Sequence, residues 1–478
     1  MDKGSSSCPR LGGIGPLTQA AEANIEHAMK TMSLVVWVAA LLLSGCAGSP
    51  PHSLDLMPAP AAYEQIKTPF GVAHAAGAPA GSGVLGMLYA TNRAPAAADA
   101  ERDERYYSGE RGYLIRVGEA DITFGDSDIS WDEARKISLL KNRPGSFPLK
   151  VNAVQEAGIL ASSVSVFTPA DVAAAVDDRP AREFVREIET RLARSPVKDI
   201  FIYVHGYKVN FENPLLVASE MWHFLGYEGA FIAFSWPSTP ARLAYLKDIE
   251  TARVAAWGLR RFLEFLARET SAERIHVVGY SAGTRVVLTT LYELALIHQH
   301  DSESQARNAT RLGNVILVGS DVDTGTFASY IIDGLLRVQD RLTIYTSPSD
   351  KALHLSEKIF AHRRIGEILP GTLDERMRQF VASSSQVALI DVAEADNFDD
   401  GNGHAYFRKS PWVSSDILMT LRYDLAPAER GLERRGDSPL WLFPDDYLSR
   451  FEKALAQASA AQRANSEQDM PRTQPLVD

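Results

Sequence analysis

The chain has 478 residues, with 49 Lys plus Arg against 60 Asp plus Glu and a net charge of −11. That balance speaks against a nucleic-acid partner, which selects for a basic face, and 45% hydrophobic with 23% charged residues excludes a disordered chain. Two cysteines, Cys8 and Cys46, leave no basis for a disulfide framework or a Cys-rich metal module.

The first feature in chain order is the apolar run Leu34 to Leu43. It is about half of the roughly 20 residues that a helix needs to cross a bilayer, and it has the length of a signal-peptide apolar segment. Met29-Lys30-Thr31-Met32 precedes it with one positive charge, and Leu43-Ser44-Gly45-Cys46 follows with small residues ending in cysteine. This arrangement resembles the bacterial lipoprotein signal. The resemblance implies cleavage before Cys46, acylation of its thiol, and, with Ala47 next, an outer-membrane protein facing the periplasm. Residues 1–28 then read as an over-extended start, 29–45 as the signal peptide and 46–80 as a flexible tether rich in Ala, Pro, Gly and Ser. The globular domain is expected over 81–455, with N-terminal edge strands in 81–190 and a core in 191–455, and residues 456–478 as a disordered tail.

Within the globule, Gly112 to Phe124 and Leu149 to Leu160 alternate like antiparallel strands at a sheet edge. From Arg179 onward, short apolar runs rich in Val, Ile and Phe alternate with amphipathic stretches. The runs are Asp199 to Val204, Ala230 to Trp236, Arg274 to Gly279, Asn314 to Gly319, Leu342 to Thr346 and Val387 to Val392. Helical spacing marks Asn213 to Leu225, Arg242 to Glu269, Thr284 to His298 and Thr326 to Val338. The pattern predicts an α/β fold, a mostly parallel central sheet with helices on both faces.

Gly279-Tyr280-Ser281-Ala282-Gly283 is a G-x-S-x-G string lying directly between a β-type run and a helix start. A serine on such a sharp turn stands exposed above the sheet, at the positive end of the helix dipole, and small neighbours are needed where the turn crowds helix and strand. Acyl transfer also needs donors for the developing oxyanion. Ala282, directly after the serine, supplies one backbone N–H, and the loop Val204-His205-Gly206-Tyr207 supplies the second, assigned to Tyr207. His205 reads as a strand-end histidine that holds this loop.

The remaining partners are expected on loops beyond later strands, in the order nucleophile, acid, base. Ser347-Pro348-Ser349-Asp350 follows one strand, and Gly401-Asn402-Gly403-His404 follows the last. His404 fits a general base for Ser281, and Asp350 an acid that orients its ring. Asp321 and Asp323, one strand earlier, are rival acids, and a helix N-cap is the structural alternative for each carboxylate.

Together these residues resemble the alpha/beta-hydrolase superfamily and, more narrowly, a poorly characterised bacterial esterase/lipase-like family within it. The likeness spans residues 84 to 450 and also rests on Tyr89-Ala90-Thr91-Asn92-Arg93, Phe234-Ser235-Trp236-Pro237-Ser238 and Asp350-Lys351-Ala352-Leu353. Where that family more often has His-Ser-Met-Gly, this chain has Tyr280-Ser281-Ala282-Gly283, a departure in the pocket lining. The resemblance implies a serine hydrolase without cofactor; it does not imply a substrate. The expected partners are a small acyl ester or lipid as substrate and, through the N-terminal anchor, the membrane; no nucleic acid is expected. A different reading keeps the fold as a non-catalytic binding or assembly module of the envelope. Gly81-Ser82-Gly83-Val84-Leu85-Gly86 matches the dinucleotide fingerprint but lacks the preceding strand and following helix which that chemistry needs, so it reads as linker. His298-Gln299-His300 reads as a solvated helix end, not a metal site.

Overall fold

Eleven strands form one sheet in the order β1-β4-β3-β2-β6-β5-β7-β8-β9-β10-β11. They are β1 (Ser53–Asp55), β2 (Val84–Pro95), β3 (Tyr107–Phe124), β4 (Pro148–Ile159), β5 (Asp199–Val204), β6 (Ala230–Ser235), β7 (Arg274–Tyr280), β8 (Leu312–Val318), β9 (Gln339–Thr346), β10 (Val387–Asp391) and β11 (Leu440–Leu442). The computed structural model describes residues 52–468 except 66–83, 101–103, 125–130, 141–142, 144, 146, 242–243, 369–370, 372 and 396–401. The expectations for residues 1–51, Cys46 and Ala47 among them, lie outside the described residues.

From β2 to β11 every neighbouring pair is parallel, while β1, β4 and β3 add an antiparallel edge. The central strands β5, β6 and β8 are buried along their whole length, as strands covered on both faces must be. Alternation along β5 sends Ile200, Ile202 and Val204 into one apolar layer with helices Arg179–Arg194, Tyr245–Glu269 and Gly283–Ile297. Phe201 and Tyr203 enter the other layer, with helices Glu212–Phe224 and Pro411–Tyr423. This is the mostly parallel α/β sheet with helices on both faces that the apolar runs predict, and the architecture that the alpha/beta-hydrolase resemblance implies.

Four segments differ from the sequence-based expectation. The tether predicted over 46–80 is not all tether: β1 pairs with β4, and Leu54, Leu56, Met57, Ala61 and Ala62 are buried, because these few apolar side chains find a place beside Glu212–Phe224 and Pro411–Tyr423 despite the Pro- and Ala-rich composition. The tail predicted from 456 is helical as far as Gln468, within a helix beginning at Tyr447. Ala454 and Leu455 are buried on it and the alanine-rich stretch continues it. In the glycine-rich string at 81–86, Val84, Leu85 and Gly86 already belong to β2. The helix predicted over Thr326 to Val338 is two pieces, Thr324–Ile332 and a 3₁₀ turn Leu335–Val338, since Gly334 between them has φ +88° and breaks the α-helical path.

Candidate active site

β7 ends at Tyr280 and the helix Gly283–Ile297 begins three residues later. Between them Ser281 has φ +52°, a left-handed conformation that costs an L-residue roughly 1–2 kcal/mol. The surroundings enforce it. The Ser281 N–H donates to the Val318 carbonyl on β8 at 2.9 Å, extending the sheet to the turn itself. A Cβ on Gly283 would overlap the Val204 and His205 carbonyls, so the helix start can lie against the end of β5 only because that residue is glycine. A Cβ on Gly206 would likewise sit 2.9 Å from Ser281 Cβ, which brings the loop after β5 directly alongside the serine.

Loops from three strand ends meet at this turn. His404 Nε2 lies 2.8 Å from Ser281 Oγ, and His404 Nδ1 lies 2.6 Å from Asp350 Oδ2. Asp350 is fully buried after β9, and His404, 8% exposed, lies beyond β10. The carboxylate has two duties. Oδ2 faces the imidazole, while Oδ1 accepts the Ala352 and Leu353 N–H groups at 3.0 Å each, capping the helix Lys351–Phe360. With Oδ2 as acceptor, the imidazole carries its proton on Nδ1, leaving the Nε2 lone pair to the serine hydroxyl.

The rival carboxylates have other partners. Asp323 Oδ1 caps the helix Thr324–Ile332 through the Thr326 N–H at 2.7 Å. Asp321 accepts Arg285 Nε at 3.1 Å, the Tyr245 hydroxyl and the Ser356 hydroxyl, with Arg364 Nε at 3.5 Å.

The Ala282 N–H belongs to the first-turn donors that no intrahelical carbonyl can satisfy. Tyr207 follows Gly206 in the loop against Ser281, with its ring edge-on to Tyr245 at 5.2 Å. His205 is fully buried, stacked on Trp236 at 5.3 Å, with Nδ1 2.8 Å from the Gly206 carbonyl and Nε2 3.1 Å from that of Trp236. Burial, and then the nearby Arg93 charge, hold its pKa well below the ordinary histidine value, so the ring stays neutral and its single N–H reaches one of the two carbonyls. Tyr280 packs against His404 at 5.1 Å and Phe407 at 4.8 Å between ring centroids. The departure at this position thus lies beside the imidazole. His298 ends the helix Gly283–Ile297, its Nδ1 2.7 Å from Asp301 Oδ2.

Two further residues at the site were not singled out from sequence. Gly319, at φ +55°, lies so close to the imidazole that a Cβ there would be 2.9 Å from His404 Cε1 and 3.1 Å from Nδ1. The Tyr406 hydroxyl donates to the Tyr345 carbonyl at 3.0 Å and accepts the Gly319 N–H at 2.7 Å, joining the ends of β8 and β9 to the loop that carries His404. A glycine directly after a strand was a visible signal for the first; nothing in local spacing marks the second.

A parallel sheet whose sharp strand-to-helix turn presents a serine at the strand ends defines an alpha/beta hydrolase. The match of a family model to residues 181–422 places the chain in a particular group, and it belongs to the alpha/beta hydrolases of unknown function (DUF900). That span holds Ser281, Asp350 and His404, whereas Tyr89 to Arg93 lie before it. No curated protein and no solved structure matches the chain.

Proposed function

We propose that the protein is a serine hydrolase that cleaves carboxylic esters through an acyl-enzyme on Ser281, with His404 as general base, Asp350 as the orienting acid, and the N–H groups of Tyr207 and Ala282 as oxyanion donors. The observation that carries this reading is the continuous relay from Asp350 Oδ2 through His404 to Ser281 Oγ, at 2.6 and 2.8 Å. Ser281 Oγ attacks the ester carbonyl carbon while His404 Nε2 takes its proton, and the carbonyl oxygen becomes the oxyanion. The intermediate collapses by breaking the bond to the alcohol oxygen, which leaves with the proton from His404. Water, deprotonated by His404, then attacks the acyl carbon, and the carboxylic acid departs as Ser281 regains its proton.

The test is labelling by a fluorophosphonate probe together with turnover of p-nitrophenyl esters of graded acyl length. Wild-type protein is expected to label and turn over, and folded Ser281→Ala to do neither, with a rate loss of several orders of magnitude. Labelling that survives in Ser281→Ala would overturn the assignment.

The same reading places the protein in the bacterial envelope, anchored to the outer membrane by lipid on Cys46, with a small acyl ester or lipid as substrate. Its support is the sequence of residues 29–47. Two or three acyl chains, at about 0.8 kcal/mol per buried CH₂, hold a protein on a membrane essentially permanently. Wild-type protein is expected to incorporate labelled palmitate and Cys46→Ser to remain an unprocessed precursor; a wild-type protein that takes up no label and stays in the soluble fraction refutes the anchor.

A further inference from the structure

Arg93 is 1% exposed, and its guanidinium lies at the catalytic ends of β2 and β6 with no carboxylate among its hydrogen-bond partners in the described residues. Every observed partner is neutral: Nε donates to Ser235 Oγ at 2.9 Å, one terminal nitrogen to the Ser108 and Ser238 carbonyls at 3.1 and 3.0 Å, and the other to the Val209 carbonyl at 2.8 Å. Asp248 and Glu104 act on Arg93 through charge, but Asp248 accepts the Thr239 N–H and Glu104 Oε1 the Gly109 N–H instead. Taking a cation that makes no direct carboxylate bond out of water costs several kcal/mol, and burial, against the charges of Asp248 and Glu104, pushes the Arg93 pKa down to about 9. A strand end needs no such group for packing.

The Val209 carbonyl belongs to the loop that runs from the end of β5 past Ser281. This loop carries its own strain: Lys208, a non-glycine residue, has φ +61°. Such a conformation persists only where the surroundings over-determine it. The ties fall on the adjacent residue, where the Val209 carbonyl also accepts from Ser238 Oγ at 2.8 Å and the Val209 N–H donates to the same oxygen at 3.2 Å. Farther up the loop, Trp236 Nε1 holds the His205 carbonyl at 2.7 Å. The motifs at Thr91-Asn92-Arg93 and Ser235-Trp236-Pro237-Ser238 thus converge on one short segment, residues 205–209.

We propose that Arg93, acting with Ser238, is a positioning residue of the oxyanion site: it clamps the strained loop so that the Tyr207 N–H stays aimed at the carbonyl oxygen of the substrate. This rests on the ester-hydrolase reading above. An arginine suits the task because its planar fork meets carbonyls from three chain segments at once, which a lysine ammonium cannot reproduce. Its charge also favours negative charge developing nearby, and it helps to keep His205 neutral beside the loop.

The test compares wild-type protein with Arg93→Met, Arg93→Lys and Ser238→Ala on a p-nitrophenyl ester and on its thiono analogue, in which sulfur replaces the carbonyl oxygen. A loose oxyanion site penalises the oxygen substrate more, since sulfur is the weaker acceptor. Arg93→Met is expected to lower kcat about 10²-fold with KM little changed and to reduce the oxo-to-thiono rate ratio about tenfold. Arg93→Lys should recover only part of this, Ser238→Ala should lose about tenfold in kcat, and the acidic limb of the pH profile should stay in place in all three.

Hydrogen exchange of the peptide covering Gly206–Val209 supplies a readout that needs no turnover, and faster exchange is expected in each variant. Folded Arg93→Met with a wild-type rate ratio overturns the clamp. If that variant does not fold, an unchanged ratio and unchanged exchange in Ser238→Ala overturn it equally. A wild-type protein that neither labels nor turns over, yet shows faster loop exchange in the variants, sinks the hydrolase reading and leaves the clamp standing.

Discussion

Asp350→Asn separates the two duties of this carboxylate. The helix cap fixes how the amide must sit. With its oxygen toward the Ala352 and Leu353 N–H groups, both 3.0 Å bonds survive. Turned the other way, the NH₂ group would face two donors and leave buried N–H groups unmet, at about 1–3 kcal/mol each. The cap therefore points the NH₂ group at His404 Nδ1, which lies 2.6 Å from the native Oδ2. Nδ1 must then accept, the imidazole proton moves to Nε2, and Ser281 Oγ meets a donor where it needs a base. Stability should change by less than about 1 kcal/mol, since the cap is kept, while kcat/KM falls about 10⁴-fold, as for a triad acid. The assay is p-nitrophenyl acetate hydrolysis alongside a thermal melt. A folded Asp350→Asn protein that retains more than about a tenth of wild-type kcat/KM refutes the argument, as does a larger loss in Asp321→Asn or Asp323→Asn.

Gly319→Ala places a methyl group 2.9 Å from His404 Cε1 in a backbone at φ +55°, so the imidazole must shift by a few tenths of an ångström; turnover is expected to fall about 10–100-fold with about 1–2 kcal/mol of destabilisation, read by kinetics and urea melts. Ser281→Gly should abolish turnover yet be at least as stable as Ser281→Ala, by up to about 1 kcal/mol, because only glycine relieves φ +52° at that turn. Glu367 is buried, with His354 Nε2 3.4 Å from its Oε1, and burial, with Glu357 adding to it, outweighs the Arg364 backbone contact and pushes its pKa up to about 7. The raised value means the folded state holds a proton that the unfolded chain has released. Stability from this group is therefore present below the ordinary carboxylate range and lost as pH rises through about 7. Glu367→Gln should accordingly raise the melting temperature more at pH 8 than at pH 5, roughly.

Much of the fold was legible because a strand buried on both faces leaves a mark that needs no knowledge of its neighbours. The continuous apolar run Asp199–Val204 is one, and the 25-residue amphipathic helix Tyr245–Glu269 shows its period with equal clarity. Less was legible where few residues carry the element. β1 and β11 have three residues each, too short for any periodicity to register, and their positions follow from pairing with β4 and β10. At the site, the turn around Ser281 could be read locally since strand, turn and helix adjoin in the chain. The partners of Asp350, Asp321 and Asp323 could not, because each lies on a loop beyond a strand and each suits a cap.

By itself, then, the sequence determined the local elements, the alternation of strand and helix, the strained serine turn and the order of loops along the chain, for these depend on neighbours within a few residues. Tertiary structure decided what depends on distance across the sheet. Ser281 and His404 stand 123 residues apart, and His404 and Asp350 54. They meet only because β7, β8, β9 and β10 lie side by side and parallel, bringing their ends to one edge. The place of Arg93 has the same origin. Nothing near it in the chain calls for a buried cation. Its role arises when β2 docks beside β6 and puts the guanidinium within reach of carbonyls from three chain segments, the start of β3 and the loops after β5 and β6.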